Sequence, residues 1–432
     1  MTRRFSGLAA TLSAAEPAYL LLALVCLVAW PEQLWIAGLA LMAATWLVRW
    51  LATGRLSVRT LADWPCLVLV LMLAVSLSLG VLPKVTWQAA AYLVAGLLTF
   101  NSLVNWISSE GRLRWAGWGA LAVGVGLALV ALVAVQWQSE TKLPFIPAAL
   151  YQALPVRMPD PIHPNVMAGA LALILPLPMA WLLLGGDHGL PGWVRRWLMR
   201  TGWAVAWLLM AAVLLLTKSR GGYLATLVGV FILLGLWRRW TVLGALVCVE
   251  GVALAWTQLG GARLADLLLT TQTIGGWQGR QEVWSRALDM IRDFPVTGIG
   301  IGSYGQTAVA LYPLILNGPA TVVPHAHNLF LQVGVDLGLP GLAAYLALWL
   351  TCTVMAWRAY LVFRRAGRQA VAATAAGLGT SLIVLGLHGL VDAVTWGTKP
   401  AALAWAMMAM ALAAFRLARR PDPLQRPPLV VG

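Results

Sequence analysis

Long apolar runs alternate with short polar segments along most of this chain. About 20 apolar residues in helical conformation span the hydrocarbon core of a bilayer, so runs of this kind predict transmembrane helices. Several of the runs are shorter, and we expect their helices to extend into the flanking polar residues. The predicted helices lie near residues 15–30, 33–48, 65–82, 86–104, 115–136, 166–184, 202–217, 222–237, 241–258, 329–357, 370–391 and 400–416.

The composition supports the same conclusion. Hydrophobic residues make up 60% of the 432 residues and charged residues only 10%, and the mean hydropathy is +0.80. A soluble fold of this length could not bury so much apolar surface, so the soluble classes are excluded. The pattern therefore predicts an all-α polytopic membrane protein with about 12 transmembrane helices.

Two long polar stretches divide the chain into segments. We expect residues 1–258 to hold the first nine helices, with an external loop at about 137–165. Residues 259–328 form a second and larger external loop, which is too long to lack structure of its own. Residues 329–416 hold the last three helices, and residues 417–432 form a cytoplasmic tail.

The larger external loop contains a predicted amphipathic helix at residues 280–293. Pro295 ends this helix, and a glycine-rich turn follows it. Helical periodicity places one apolar face on Val283, Ala287, Met290, Ile291 and Phe294.

The net charge of +15 would indicate a nucleic-acid partner in a soluble protein, but here loop arginines that set the membrane topology explain it. With both termini in the cytoplasm, 20 of the 30 basic residues fall on cytoplasmic segments, and all 20 are arginines. Cations on the translocated side serve no topological purpose, so we expect some of them to bind an anion. These ten are Lys84, Lys142, Arg157, Lys218, Arg220, Arg263, Arg280, Arg286, Arg292 and Lys399.

Two of these cations lie in the short external turn Thr217–Gly222, beside two glycines. Arginine presents a planar fork to phosphate oxygens, lysine adds a point charge, and glycine lets backbone N–H groups approach an anion. The turn therefore suits a phosphate, although cations that reach towards lipid headgroups would give the same pattern. Arg280 begins the amphipathic helix, where it can act with free N–H groups on an anion or remain a solvated charge.

The segment His325-Ala326-His327-Asn328 holds two of the five histidines and lies where a polar stretch meets an apolar helix. Three interpretations compete: a metal site, a structural cap formed with Asn328, and a general base. A metal site lacks a third ligand close by in the sequence, where Asp336 is the nearest carboxylate.

Two other polar groups lie near helix ends. Asn165 of His163-Pro164-Asn165 is a candidate helix cap. His388 and Asp392 are one helical turn apart and share a face, where they either line a cavity or brace helices.

Four motifs resemble those of the O-antigen ligase and polymerase superfamily. His327-Asn328, followed after nine residues by Gly338-x-x-Gly341, is similar to its signature, and the turn Thr217–Gly222 is similar to its helix-turn motif. Gly279-Arg280-x-x-x-Trp284, continuing to Asp293–Gly300, resembles its external-loop motif. His163-Pro164-Asn165 with Ala168-Gly169 also fits, so the resemblance covers roughly residues 160–345.

The resemblance implies a GT-C-like, inverting glycosyltransferase that requires no metal or other cofactor. In the ligase branch, O-antigen polysaccharide moves from undecaprenyl pyrophosphate to lipid A-core at the periplasmic face of the bacterial inner membrane. By the same resemblance, Arg220 and Arg280 hold the pyrophosphate and His327 is the base, while the second histidine leaves the choice between His325 and His327 open. The expected substrate-binding residues are Arg220, Arg280, Lys218, His325, Asn328, His163 and Asn165.

Two other function classes remain open at the level of the sequence. An O-antigen polymerase or a protein O-oligosaccharyltransferase of the same superfamily would use the same donor with a different acceptor. A transporter or flippase of lipid-linked sugars would explain the external cations and a cavity without a base.

Overall fold

The structure is a computed structural model, which describes residues 15–29, 33–79, 83–137, 151, 154, 158, 161–185, 192–258, 276–316 and 318–420, and this part of the chain is mostly helical. No strand is found within these ranges, where a single bridge joins Val135 and Ile162. The helices are α1 (Glu16–Ala29), α2 (Trp35–Thr53), α3 (Asp63–Leu79), α4 (Pro83–Trp106), α5 (Glu110–Ala134), α6 (Pro164–Ile174), α7 (Pro176–Leu184), α8 (Trp193–Leu216), α9 (Arg220–Trp237), α10 (Arg239–Gln258), α11 (Trp277–Asp293), α12 (Tyr304–Leu311), α13 (Leu329–Arg365), α14 (Gln369–Gly389) and α15 (Ala401–Ala418).

The protein is an all-α polytopic membrane protein, as the sequence predicts. Within the described residues, nine helical stretches are long and apolar enough to cross a membrane, counting α6 and α7 together as one. The shorter helices α1 and α3 are also apolar. All twelve predicted spans overlap described helices; that twelve of them cross the membrane stays a prediction.

Helix α14 lies at the centre of the bundle, packed by α7, α9, α13 and α15. Most of its side chains are small, and nearly all of them are buried. Small side chains let neighbouring helices approach closely, which supplies the packing that stabilises helix association in a bilayer. Because α14 is held on several sides, its C-terminal end is a fixed point for the residues that follow it.

A bend in α13 joins the bundle to the segment after α11. Gly338 has φ 70° and ψ −178°, which breaks the helix just before Pro340. The Leu339 N–H donates to the Pro295 carbonyl at 2.7 Å, and the Ile299 N–H donates to the Val335 carbonyl at 2.8 Å. A Cβ on Gly338 would lie 2.3 Å from the Val296 carbonyl oxygen, so only glycine fits at this approach.

The amphipathic helix of the external loop is present as α11, but it begins three residues earlier than predicted, at Trp277. Val283, Ala287, Met290 and Ile291 are buried, as the periodicity predicts. The prediction is wrong for Phe294, which is 40% exposed because the helix ends at Asp293 and the chain turns there. The short helix α12 was not predicted from the sequence.

Candidate functional site

The starts of α6, α9 and α13 meet the end of α14 at one end of the bundle, which we call the site end. A Cβ on Gly169 of α6 would lie 3.0 Å from Cε1 of His388, and one on Gly221 of α9 would lie 3.6 Å from its Cδ2. A Cβ on Gly389 would lie 3.0 Å from that of Leu329, the first residue of α13. Gly221 of the 217–222 turn thus allows close packing of α9 against His388.

His327 occupies a constrained position directly before α13. Its φ is 46°, in the left-handed region that residues other than glycine rarely adopt. The Trp284 indole N–H of α11 donates to the His327 carbonyl at 3.3 Å. The imidazole Nδ1 lies 3.6 Å from Oδ1 of Asp392, and among the described residues this buried nitrogen has no hydrogen-bond partner. Strained backbone held by neighbouring elements is common at functional sites.

His325 lies against His327, with ring centroids 4.3 Å apart and ring planes at 63°. Its Nδ1 accepts a hydrogen bond from the His327 backbone N–H at 3.2 Å, which leaves the proton of the neutral ring on Nε2. Burial, followed by the charge of His327, lowers the pKa of His325 to about 4. His325 is therefore neutral at pH 7 and supports the main chain that carries His327.

Asn328 is the N-cap of α13. Its Oδ1 accepts from the N–H groups of Phe330 and Leu331 at 3.0 and 3.1 Å, and its Nδ2 donates to the Leu390 carbonyl at 3.0 Å. Both ends of the side chain are used within the protein, in agreement with the structural cap considered from the sequence. The cap ties the start of α13 to the turn that carries Asp392.

Asp392 lies in the turn after α14 and is only 3% exposed. Burial alone would raise its pKa, but His327, His325 and His388 outweigh burial and hold the pKa of Asp392 well below its usual range. Its carboxylate is therefore ionised beside the imidazole of His327. Sequence reasoning noted only its spacing from His388 and did not connect it with His327.

Arg220 and Arg280 lie on the wall of one cavity of about 320 Å³. The pKa of Arg280 is lowered, mainly by burial and further by the positive charge of Arg220. The negative charge of Asp392 partly offsets this decrease. Ser219 caps α9 by accepting from the Gly222 N–H at 3.4 Å, so Arg220 is the first residue of the helix. The remaining wall is largely apolar and includes Leu224, Val228, Trp277, Leu387 and Val391.

The other predicted site residues are distributed around this centre. His163 caps α6 by accepting from the Asn165 N–H at 3.2 Å, so the prediction of Asn165 as the cap is wrong. The charge of His163 contributes to the lowered pKa of His325.

Lys218, with φ 53°, places its ammonium 4.2 Å from the ring centroid of Tyr151 and does not line the cavity. Lys142 and Arg157 lie outside the described residues.

The structure brings Asp392, which is distant in the sequence, to the histidine pair as a third residue that could bind a metal ion. One ligand atom each of His325, His327 and Asp392 lie within 4.8 Å of one another, a spacing that could hold a metal ion. Asp336 is not part of this group. Its carboxylate accepts hydrogen bonds from Gln332, Trp396 and the Gly302 N–H at 2.9, 2.9 and 3.3 Å.

The protein is thus a polytopic helical protein with two arginines on the wall of a largely apolar cavity and a histidine–aspartate pair near one end of the same bundle. Residues 205–346 match the protein-family model described as O-antigen ligase. This match supports the O-antigen ligase superfamily that the motifs of the chain predict. No curated protein matches the chain.

The matched segment contains Arg220, Arg280, His327 and the glycines of the α13 bend. His163, His388 and Asp392 lie outside it and reach the site through the fold. The family supports a ligase- or polymerase-type glycosyl transfer.

Proposed function

We propose that the protein is an inverting, metal-independent glycosyltransferase that moves O-antigen polysaccharide from undecaprenyl pyrophosphate to lipid A-core. The observation that carries this proposal is the meeting of Arg220 and Arg280 on one cavity, with Asp392 close enough to Arg280 to raise its pKa and His327 3.6 Å from Asp392. We further propose that the site end faces the periplasm across the bacterial inner membrane and that both termini are cytoplasmic.

The two arginines would act on the leaving group. Negative charge grows on the pyrophosphate as the bond from the anomeric carbon to its oxygen breaks. Guanidinium groups fixed beside that oxygen stabilise the transition state more than the ground state. The N-terminus of α9, with the N–H groups of Arg220 and Gly221, adds a positive dipole end. Because pyrophosphate leaves readily as an anion, the reaction needs no general acid.

The apolar wall of the same cavity would receive the polyprenyl chain of the donor. Leu224 and Val228 follow Arg220 by one and two turns of α9, and Leu387 and Val391 face them from the end of α14. A phosphate held at Arg220 therefore leaves its lipid pointing along α9 into the membrane. This combination of a cationic end and an apolar wall fits a lipid-linked phosphate better than a soluble nucleotide sugar.

His327 would act as the general base. The ionised Asp392 faces Nδ1 and favours the tautomer with its proton there, which leaves the Nε2 lone pair to accept the proton of the acceptor hydroxyl. The 3.6 Å separation is slightly longer than a hydrogen bond, as is common before substrate binds. The hydroxyl oxygen attacks the anomeric carbon opposite the leaving pyrophosphate, so the configuration at that carbon inverts.

Metal independence follows in this proposal from the charges already present. A divalent cation between His325, His327 and Asp392 would lie beside Arg280 and would replace the direct contact of Asp392 with the His327 ring that orients the base. The arginines supply the positive charge that magnesium provides in many pyrophosphate enzymes.

A reconstituted transfer reaction tests the proposal. Purified protein is mixed with a defined lipid-linked donor and lipid A-core in the presence of a chelator, and the product is separated by gel electrophoresis. Polymer attached to the core is the expected result. Transfer to another repeat unit or to a protein would indicate a polymerase or a protein O-oligosaccharyltransferase. Transport without any product would indicate a flippase, and activity only with a divalent ion would refute metal independence.

A further inference from the structure

A second cavity, of about 760 Å³, lies at the opposite end of the bundle from His327. It is bordered by α5, α7, α8 and the first turns of α14, where Ala370 and Thr374 line it. Thr374 is roughly 20 Å along α14 from His388, at 1.5 Å per residue. The cavity is therefore separate from the site already described.

Three tryptophans form the inner wall of this cavity. Trp118, Trp181 and Trp203 pack against one another with ring centroids 5.6 to 5.9 Å apart. Trp181 and Trp203 are almost fully buried, and the Trp181 indole donates to the Thr374 hydroxyl at 3.0 Å. A Cβ on Gly117 would lie 2.9 Å from the Trp181 ring, so this glycine makes room for the cluster. The wall is thus a recess built between helices rather than an outward helix face.

The mouth of the cavity is cationic. Arg114 of α5 and Arg195 of α8 line it, and among its described lining residues none is acidic. The nearby carboxylate of Glu110 is paired with Arg368. Helices α5, α8 and α14 all begin at this end, so their positive dipole ends add to the arginine charge. The electrostatic complement of this mouth is an anionic group.

We propose that this cavity binds an anionic glycerophospholipid, with its phosphate at Arg114 and Arg195 and an acyl chain along the tryptophan cluster. The size of the cavity falls in the range of lipid and ligand pockets, and its two walls match the two parts of such a lipid. Phosphate favours the guanidinium fork, whereas a zwitterionic headgroup adds a cation that the two arginines repel. The binding requires nothing from the proposed transfer reaction.

Native mass spectrometry of the full-length protein tests the site. The protein is delipidated in detergent and incubated with equal amounts of phosphatidylglycerol and phosphatidylcholine of the same acyl chains. We expect one phosphatidylglycerol to be retained in preference. The double variant Arg114→Ala/Arg195→Ala should weaken phosphatidylglycerol binding by about 30-fold, in line with the contribution of two basic residues at anionic membranes. The control Arg59→Ala/Arg358→Ala removes two exposed arginines at the same end that do not line the cavity and should bind as the wild type does.

A pair of glycine variants tests the cavity without changing charge. Gly119 lines the cavity, and a Cβ there meets nothing within 4 Å, so Gly119→Leu should fill the space and displace the lipid without a clash. Gly126, on the same helix and equally open but outside the lining, gives the control Gly126→Leu, which should retain it. Equal retention of the two lipids by the wild type, or equal binding by Gly119→Leu and Gly126→Leu, would overturn the proposal.

Discussion

His327 is the residue whose surroundings best support the catalytic role that we propose. Its backbone is strained, its carbonyl is held by Trp284 and its ring faces an ionised carboxylate. His325 is equally close in sequence, but its Nδ1 is already used by the His327 N–H. These contacts favour His327 as the base and His325 as its support.

We expect His327→Gln to lower kcat by about 10²- to 10⁴-fold, the usual contribution of a general base. His325→Gln should cost much less, because a glutamine oxygen can still accept from the His327 N–H. Initial rates of polymer transfer to lipid A-core measure both variants. The assignment of the base is wrong if His325→Gln is the more damaged of the two.

Asp392→Asn should lower kcat with little change in the amount of folded protein. An amide in place of the carboxylate no longer favours the Nδ1–H tautomer, and we expect a loss of about 10²-fold or more, as in other histidine–carboxylate pairs. Asp289→Asn removes a carboxylate that pairs with Arg286 and Arg292 on the surface of α11, and it should remain active. Equal rates for the two variants would contradict an orienting role for Asp392.

His325 also makes the stability of the protein depend on pH. Its pKa of about 4 in the folded protein lies below its ordinary 6.5, so the unfolded chain binds the proton more readily. The stabilising effect of the neutral ring is therefore complete above pH 6.5 and is lost as the pH falls towards 4. Between pH 7 and pH 5 the loss is about 2 kcal/mol, at 1.36 kcal/mol per pKa unit.

Thermal melts at pH 7 and pH 5 check this dependence. His325→Gln has no group that titrates at this position, so its Tm should fall less than that of the wild type over the same interval. Parallel decreases in the two proteins would show that His325 is not responsible.

At the scale of the elements, the bend in α13 and the turn after α11 form one interlocked unit. Gly298 and Gly338 both have positive φ, and the Cβ of an alanine at either would fall within 2.6 Å of a backbone oxygen of the other segment. The external-loop motif and the Gly338-x-x-Gly341 motif, which the sequence shows as separate patterns, are therefore two sides of one contact. This contact sets where α11 and Trp284 lie relative to His327.

Gly338→Ala should lower the Tm strongly and reduce transfer by displacing α11. Gly367→Ala is the matched control, because Gly367 has φ 71° but a Cβ there meets nothing within 4 Å. The control carries only the cost of the left-handed backbone, about 1–2 kcal/mol. If the two variants lose equal stability, the close approach at Gly338 contributes nothing.

At the scale of the whole molecule, the histidine–arginine site and most arginine-rich segments lie at opposite ends of the bundle. Helices α6, α9 and α13 begin at the site end, whereas α5, α8 and α14 begin at the other, near Arg112, Arg195 and Arg368. The distribution of lysine and arginine predicts that the arginine-rich end is cytoplasmic.

Labelling of single cysteines tests this orientation. In a background without the four native cysteines, Ser285→Cys on the exposed side of α11 should react with a membrane-impermeant maleimide in intact spheroplasts. Gln369→Cys, exposed at the start of α14, should react only after the membrane is opened. The reverse pattern would invert the proposed topology.

The sequence by itself determined the membrane class and most helix positions, and it singled out Arg220, Arg280 and His327 as candidate site residues, because the apolar period, the charge and the motif spacing are local properties of a chain. Only the tertiary structure decided that Asp392 faces His327, that His163 rather than Asn165 caps α6, and that Gly298 lies against Gly338. These relations join segments far apart in the chain, and they follow from how the helices pack around α14. No local pattern encodes a distance between two helix ends, so the contact between Asp392 and His327 became visible only in the folded molecule.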